Sequence, residues 1–279
     1  MDIQAAWAYG RSQLTPTSPT PHLDARLLLQ HLLQQDHSYL IAHGEVALTA
    51  VQQTHYRTLL DRARQHEPIP YLTGRVEFYG REFVVNTAVL IPRPETEQLV
   101  EKAIHWAKPR GSVHVVDVGT GSGCIAISLA LQLPQAQVAA VDISAEALAI
   151  AQQNGARLAP GLVQFHQGQL LQPIATPIDL LVANLPYVTD GEWTMLDDAV
   201  KLHEPSIALK GGVDGFDLIR DCLQQATTKL KPGAAIFLEI GWQQGAQARE
   251  IAQSIFPTAV IEVLPDYAGH DRIVVIQTG

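Results

Sequence analysis

The feature that most restricts the fold is an apolar stretch, Val113 to Val118, that carries Asp117 near its end and runs directly into Gly119-Thr120-Gly121-Ser122-Gly123. A helical run begins at Cys124. Glycines are needed in such a loop because the backbone must turn tightly and approach a ligand closely, with helix N-terminal amides facing it. A second strand ends at Val141-Asp142, about 20 residues past the glycines, where a carboxylate can accept hydrogen bonds from both ribose hydroxyls. Together these describe a nucleoside-binding α/β sheet, whose ligand sits beyond the carboxyl ends of the strands at the switch point.

The rest of the chain is consistent with that sheet. Alternating patterns predict strands near 112–118, 137–142, 162–167, 178–183, 234–240, 258–263 and 271–277. Helices are expected near 95–107, 123–132, 144–155, 214–230 and 243–253. The sheet should be mostly parallel and covered on both faces. Only Leu264 to His270 separate the last two strands, too few residues for a crossover helix, so these should pair antiparallel.

Ahead of this domain, residues 1–75 read as short helices. The prolines of Thr15 to Pro21 break the chain before a helix whose Leu23, Leu27, Leu28, Leu32 and Leu33 are expected on one face. Residues 76–91 read as a β-hairpin linker turning at Tyr79-Gly80-Arg81, with Phe78, Phe83, Val85, Val89 and Ile91 in β-prone surroundings. The expected division is therefore 1–75, 76–91 and 92–279.

Charge narrows the possible partners. Lys and Arg number 19 against 28 Asp and Glu, a net charge of -9, which argues against a broad footprint on nucleic-acid phosphates. Residues 1–75 balance six Arg against six acids, which suits a protein partner or a packing cap better than nucleic acid. Only Cys124 and Cys222 occur, and the start MDIQAAWAYG has neither a basic nor an apolar targeting region, so a cytoplasmic location is expected. No apolar stretch approaches the roughly 20 residues of a membrane span. No histidine stands at metal-ligand spacing, so no metal is expected.

Gly121-Ser122-Gly123-Cys124-Ile125-Ala126 also satisfies the relaxed dinucleotide pattern GxGxxA, so the glycines alone leave a nicotinamide cofactor open. Two features favour S-adenosylmethionine. Asp117 precedes the loop, where it can face a cationic methionine amino group, and the fourth strand ends in Asn184-Leu185-Pro186-Tyr187, which has no role in hydride transfer. An amide nitrogen is a poor nucleophile because its lone pair is delocalised into the carbonyl. The Asn184 side-chain oxygen and the Leu185 carbonyl can each accept one N–H of a target NH₂ and so orient it. Pro186 restricts Leu185 to extended backbone, and Tyr187 offers a flat face to a planar group. No strong base is needed, so no catalytic His or Cys is assigned.

At this point the chain resembles the release-factor glutamine N5-methyltransferases, the PrmC or HemK family. The resemblance rests on EPIPYLTGRVEFYG from Glu67, LIPRPETE from Leu90, DVGTGSGC from Asp117, AVDIS from Ala140, ANLPYV from Ala183, EPSIAL from Glu204, GGVDGFDLI from Gly211, LEIGWQQG from Leu238 and AGHDRIVV from Ala268. It implies a class I S-adenosylmethionine methyltransferase fold with a helical N-terminal domain that helps grip class I peptide-chain release factors. It implies methylation of the glutamine in their Gly-Gly-Gln tripeptide, with Asn184 to Tyr187 contacting that glutamine. Gly119 to Gly123 and Asp142 would hold the cofactor, joined by Gln169, Leu170 and Asn184. Pro92 to Glu97 would close over the site, with no chemical role assigned to their side chains.

Two positions depart from the family pattern. Leu185 replaces the first proline of the usual NPPY, and Gln169 stands where an acid is common after the third strand. The NLPY spelling is shared with ribosomal-RNA adenine dimethyltransferases, whose target is another conjugated NH₂. Those enzymes carry their helical domain after the catalytic fold, whereas here about 90 residues precede it. A non-catalytic scaffold is the remaining reading, supported only by Leu185 and Gln169.

Overall fold

The computed structural model describes residues 1–279. They form two compact units, Met1–Arg75 with Asp197–His203, and Val76–Leu196 with Glu204–Gly279. The first contains helices α1 (Ile3–Leu14), α2 (Pro21–Leu33), α3 (His37–Ala42), α4 (Ala50–Arg64) and α5 (Ile69–Thr73). Their starts are written locally. Asp2, Asp36 and Thr49 each accept a backbone N–H of the first turn, and Pro21 opens α2, where its missing donor costs nothing.

The core of this unit gathers Leu14, Leu28, Leu29, Leu40 and Leu60 around Tyr56, whose hydroxyl donates to the Ala25 carbonyl at 3.2 Å. The leucine face of α2 differs from expectation. Ala25, Leu28 and Leu29 are buried, with Leu32 and Leu33 packed partly against them, while Leu23 is exposed. Positions 25, 28, 29 and 32 share one helical face, and Leu23, five residues before Leu28, points off it.

Strands β1 (Arg75–Phe78) and β2 (Arg81–Val84) form the hairpin. Tyr79 and Gly80 both have positive φ, as a tight two-residue hairpin turn requires, and Phe78 meets Phe83 edge to face at 6.1 Å.

The second unit continues through α6 (Pro94–Ala107), β3 (His114–Val118), α7 (Cys124–Gln132), β4 (Gln137–Asp142), α8 (Ala145–Leu158), β5 (Val163–Gln167) and β6 (Ile178–Ala183). After β6 come the short pieces β7 (Val188–Thr189), α9 (Asp190–Trp193) and β8 (Lys210–Gly212), with α10 (Asp198–His203) counted in the first unit. The chain ends through α11 (Asp217–Ala226), β9 (Leu230–Glu239), α12 (Gly245–Ile255), β10 (Val260–Pro265) and β11 (Asp271–Gln277).

Seven strands form one sheet in the order β10-β11-β9-β6-β3-β4-β5. The five from β9 to β5 in that order run parallel, and β11 runs antiparallel to both β9 and β10. Because strand side chains alternate, Val115, Leu180, Val182 and Phe237 pack under α6 and α7, while Val116, Leu181, Ile236 and Leu238 pack under α11 and α12. No helix is long and apolar enough to cross a membrane.

The stretch expected to be helical to residue 230 leaves the helix at Ala226, and the strand expected from 234 begins at Leu230. The pairing of β6 with β9 shifts register between Ile178 and Leu180, which lets β9 carry Pro232-Gly233 in an irregular segment. Proline lacks a ladder donor and is tolerated in a strand at such places. The short elements between β6 and α11 were not expected, since that polar segment shows no clear period.

Register places the site. Val118 of β3 pairs with Val141 of β4 on one side and with Ala183 of β6 on the other. Gly119 therefore leaves the sheet between Asp142 and Asn184, at the point where strand order reverses.

Candidate active site

The loop after β3 is tied down by backbone. The Gly119 and Thr120 amides donate to the Val141 carbonyl at 2.9 and 3.0 Å. Gly119 has φ +73, and a Cβ there would stand 3.1 Å from Leu185 Cδ2, so both conformation and space favour glycine. Asp142 accepts the Gly121 amide on Oδ2 and the Ser144 amide on Oδ1, both at 2.9 Å. Each oxygen retains a lone pair for a further donor.

Asp117, expected to face a cationic amino group, lies beneath the loop instead of on the cavity wall. Its Oδ2 accepts from Thr120 Oγ1 at 2.6 Å and from the Ala126 amide at 3.2 Å. Burial pushes its carboxyl up to about 7 against the pull of those two bonds, and the charge of Asp142 adds to the rise. Gly123 is also off the wall, because a Cβ there would press on Ile127 and Ala151, and its role is to let α7 and α8 approach.

Gly119 to Ser122 line a cavity of about 260 Å³, near the lower end of small-molecule sites at roughly 300 to 1,000 Å³. Asp142, Gln169, Leu170, Asn184, Leu185 and Pro186 line it too, as do Pro92, Arg93 and Thr96. Ile143, which sequence reasoning missed, also lines the cavity and is 54% exposed. Its signal was a large apolar residue directly after a strand-ending acid. Ser122 Oγ on the wall and Asp117 Oδ1 beneath it are buried without a hydrogen-bond partner. With Asp142 at the adjacent strand end and Ile143 and Leu170 offering apolar surface, the wall fits a nucleoside carrying a polar, charged arm. Cys124 also lines the cavity, but burial pushes its thiol up to about 12, so it remains a protonated thiol at neutral pH.

The tip of β6 is assembled from distant segments. Asn184 Nδ2 donates to Thr96 Oγ1 at 3.2 Å, and Thr96 Oγ1 donates to Glu239 Oε2 at 2.7 Å. The Tyr187 hydroxyl donates to Glu239 Oε1 at 3.4 Å. Glu239 is buried at the end of β9, and that burial raises its carboxyl above the usual range despite the Thr96 bond and the charge of Arg272. Tyr187, expected to offer a flat face to a planar group, is partly buried. Its ring packs against the core on the α11 and α12 side, off the cavity wall, and burial holds its hydroxyl well above its ordinary value.

The backbone beyond Asn184 is gripped from two more places. Gln244 Nε2 donates to the Tyr187 carbonyl at 2.9 Å, while its Oε1 accepts the Gly241 amide at 2.7 Å. Gly211 and Gly215 sit so close to the Pro186 and Tyr187 carbonyls that any side chain would collide with them, and Gly215 also has φ +81. Upstream, Glu204 accepts from Arg93 at 2.5 Å and from the Ile91 amide at 3.2 Å, fixing the entry to α6. Sequence reasoning assigned no role to Thr96, Glu204, Glu239 or Gln244, although all four stand inside the motif stretches.

Comparison with known proteins places these motifs. Residues 5–74 match the family described as "PrmC N-terminal domain" and residues 109–258 match "Methyltransferase domain". The chain is 43% identical to a release factor glutamine methyltransferase of Koribacter versatilis over 92% of its own length and 91% of that protein. It is 39% identical to one from Enterococcus faecalis, covering 87% of each chain, and 38% identical to one from Bacillus subtilis, covering 90% and 89%. Among solved structures, a methyltransferase from Pyrococcus furiosus superposes with a TM-score of 0.54 at 16% identity, over 83% of this chain and all of the other. A ribosomal protein L11 methylase from Lactobacillus delbrueckii subsp. bulgaricus superposes with a TM-score of 0.50 at 21% identity, over 67% and 81%. At those identities the likeness concerns the fold.

Proposed function

The chain belongs to the release factor glutamine methyltransferases, and from that membership we propose that it methylates the side-chain amide nitrogen, N5, of the glutamine in the Gly-Gly-Gln motif of class I peptide-chain release factors. When bound, S-adenosylmethionine supplies a methyl group activated by its sulfonium charge. Asp142 would hold the ribose hydroxyls, the Gly119 to Gly121 backbone and Ser122 the polar arm, and Ile143, Gln169 and Leu170 the base.

The chain's own residues then act on the glutamine amide. Asn184 Oδ1 and the Leu185 carbonyl accept its two N–H groups, fixing the plane and facing the nitrogen toward the glycine loop. Holding a reactant in one attack geometry can contribute several kcal/mol to a rate. Accepting both hydrogens also shifts electron density onto nitrogen, which is what a delocalised lone pair lacks. The methylated nitrogen is acidic and releases its proton afterwards, so no side-chain base is required. Leu185 differs from the family proline but supplies the same carbonyl, and its side chain is buried against Gly119.

The observation that carries this reading is that Asn184 stands on the wall of the cavity that the glycine loop lines. Residues 92–279 would carry the transfer, residues 1–75 would help hold the release factor, and residues 76–91 would join them. A cytoplasmic location and a protein partner follow from the substrate. Mass spectrometry of release factor and of ribosomal RNA, each incubated with the enzyme and labelled cofactor, tests the proposal. Label on the Gly-Gly-Gln glutamine is expected, and label on RNA adenine with none on the release factor would overturn it.

A further inference from the structure

A side-chain amide has nearly the same shape with its oxygen and nitrogen exchanged, and only one of the two orientations of Asn184 offers an acceptor to a substrate NH₂. What selects the orientation is therefore part of the chemistry. Thr96 has one hydroxyl hydrogen. That hydrogen is directed to Glu239 Oε2 at 2.7 Å, so toward Asn184 the same oxygen can only accept. Asn184 must then present Nδ2 to Thr96, which leaves Oδ1 on the opposite side.

We propose that Thr96 and Glu239 are positioning residues that set the polarity of the Asn184 amide, so that its oxygen and not its NH₂ meets the substrate amide. This rests on the assignment of Asn184 as an amide acceptor. Neither residue needs to touch the glutamine. Both are almost fully buried, Thr96 at 2% and Glu239 at 1% exposure, so water does not compete for the relay. Tyr187 supports the other carboxylate oxygen through its hydroxyl at 3.4 Å.

The relay has a direction that protonation reverses. A proton on Glu239 Oε2 would be donated to Thr96, whose own hydrogen would swing toward Asn184 and demand oxygen from it. The amide would flip and present NH₂ to an NH₂. The groups acting on Glu239 are the Thr96 hydroxyl and the Glu95 carboxylate from α6, the Tyr187 hydroxyl from the segment after β6, and Arg272 from β11, with the Cys124 thiol of α7 also within its field. Burial and Glu95 favour the protonated form; Thr96, Tyr187 and Arg272 favour the ionised one. Since the balance lies above the ordinary carboxylate range, turnover should fall on the acid side at a higher pH than an exposed glutamate would give.

The test compares Thr96→Val, Thr96→Ser and Asn184→Ala for kcat, for KM of the release factor and for cofactor affinity by calorimetry. Thr96→Val keeps the shape and removes the hydroxyl. It should lower kcat about tenfold or more, as expected when a buried donor loses its acceptor and the amide loses its preferred orientation. Cofactor affinity should stay unchanged, and the acid limb of the kcat profile should shrink. Thr96→Ser, which retains the hydroxyl, should restore most of the turnover lost in Thr96→Val and bring the acid limb back. If Asn184→Ala destroys turnover while Thr96→Val leaves it within about twofold, the relay is wrong and the acceptor role stands. A Thr96→Ser enzyme as poor as Thr96→Val would equally overturn the relay, because the retained hydroxyl would then rescue nothing. Full turnover in Asn184→Ala would instead sink the acceptor reading itself.

Discussion

The loop wall of the cavity is local in sequence: Gly119 to Ser122 and Asp142 to Ser144 come from one strand-loop-helix-strand stretch, and most of their contacts use backbone amides. The Asn184 wall facing it depends on side chains far apart in the chain, with Thr96 and Glu239 separated by 143 residues. The difference follows from what each wall must do. Binding a nucleoside needs a backbone curve and one carboxylate, which a short motif can encode. Orienting an amide needs each hydrogen in a chain of side chains to have one destination, and only the folded sheet brings those side chains together.

This comparison can be broken by substitutions that should affect one wall and spare the other. The largest effect is expected for Asn184→Ala, which should lower kcat by about 10² or more while cofactor affinity stays near that of the unaltered protein. Steady-state kinetics with calorimetry separates the two readouts. If cofactor affinity fell as far as kcat, the walls would not be independent. Next comes Asp142→Ala, which should weaken cofactor binding by roughly 1 to 3 kcal/mol, because hydrogen bonds to a charged acceptor are lost. Turnover at saturating cofactor should change little. Unaltered affinity would mean that Asp142 only caps Gly121 and Ser144. The smallest effect is expected for Gln169→Ala. The side chain is exposed on the cavity wall, so its loss should cost no more than about 1 kcal/mol of cofactor binding. A larger loss would give this departure from the family pattern a specific contact with the base.

What the sequence disclosed follows the same division. The apolar strand into Gly119-Thr120-Gly121-Ser122-Gly123 and the acid at Asp142 announced the loop wall, because local geometry alone demands those residues. Parallel strands buried on both faces read clearly as apolar runs, and the antiparallel ending followed from a loop too short for a crossover. Asn184 was legible as a polar residue ending a buried strand. The hydroxyl contact of Tyr187 is not legible in the sequence, because its partner Glu239 lies on another strand. The position of Asp117 before the loop is visible in the sequence, but its bonds to Thr120 and Ala126, which draw one carboxylate oxygen underneath, depend on how the loop closes. Thr96 lies within the LIPRPETE stretch, but nothing in the sequence points to its partner. It looks like an ordinary first-turn helix residue until β9 places Glu239 beside it.

The central claim is that a planar NH₂ is held by two oxygens at the end of β6. The most direct measurement is a crystal structure of the enzyme with S-adenosylhomocysteine and a peptide or domain carrying the Gly-Gly-Gln motif. The glutamine nitrogen should lie within hydrogen-bond distance, about 2.7 to 3.2 Å, of both Asn184 Oδ1 and the Leu185 carbonyl, with Asn184 Nδ2 still on Thr96. A glutamine bound elsewhere, or one whose carbonyl accepts from the Asn184 Nδ2 group, would contradict the account.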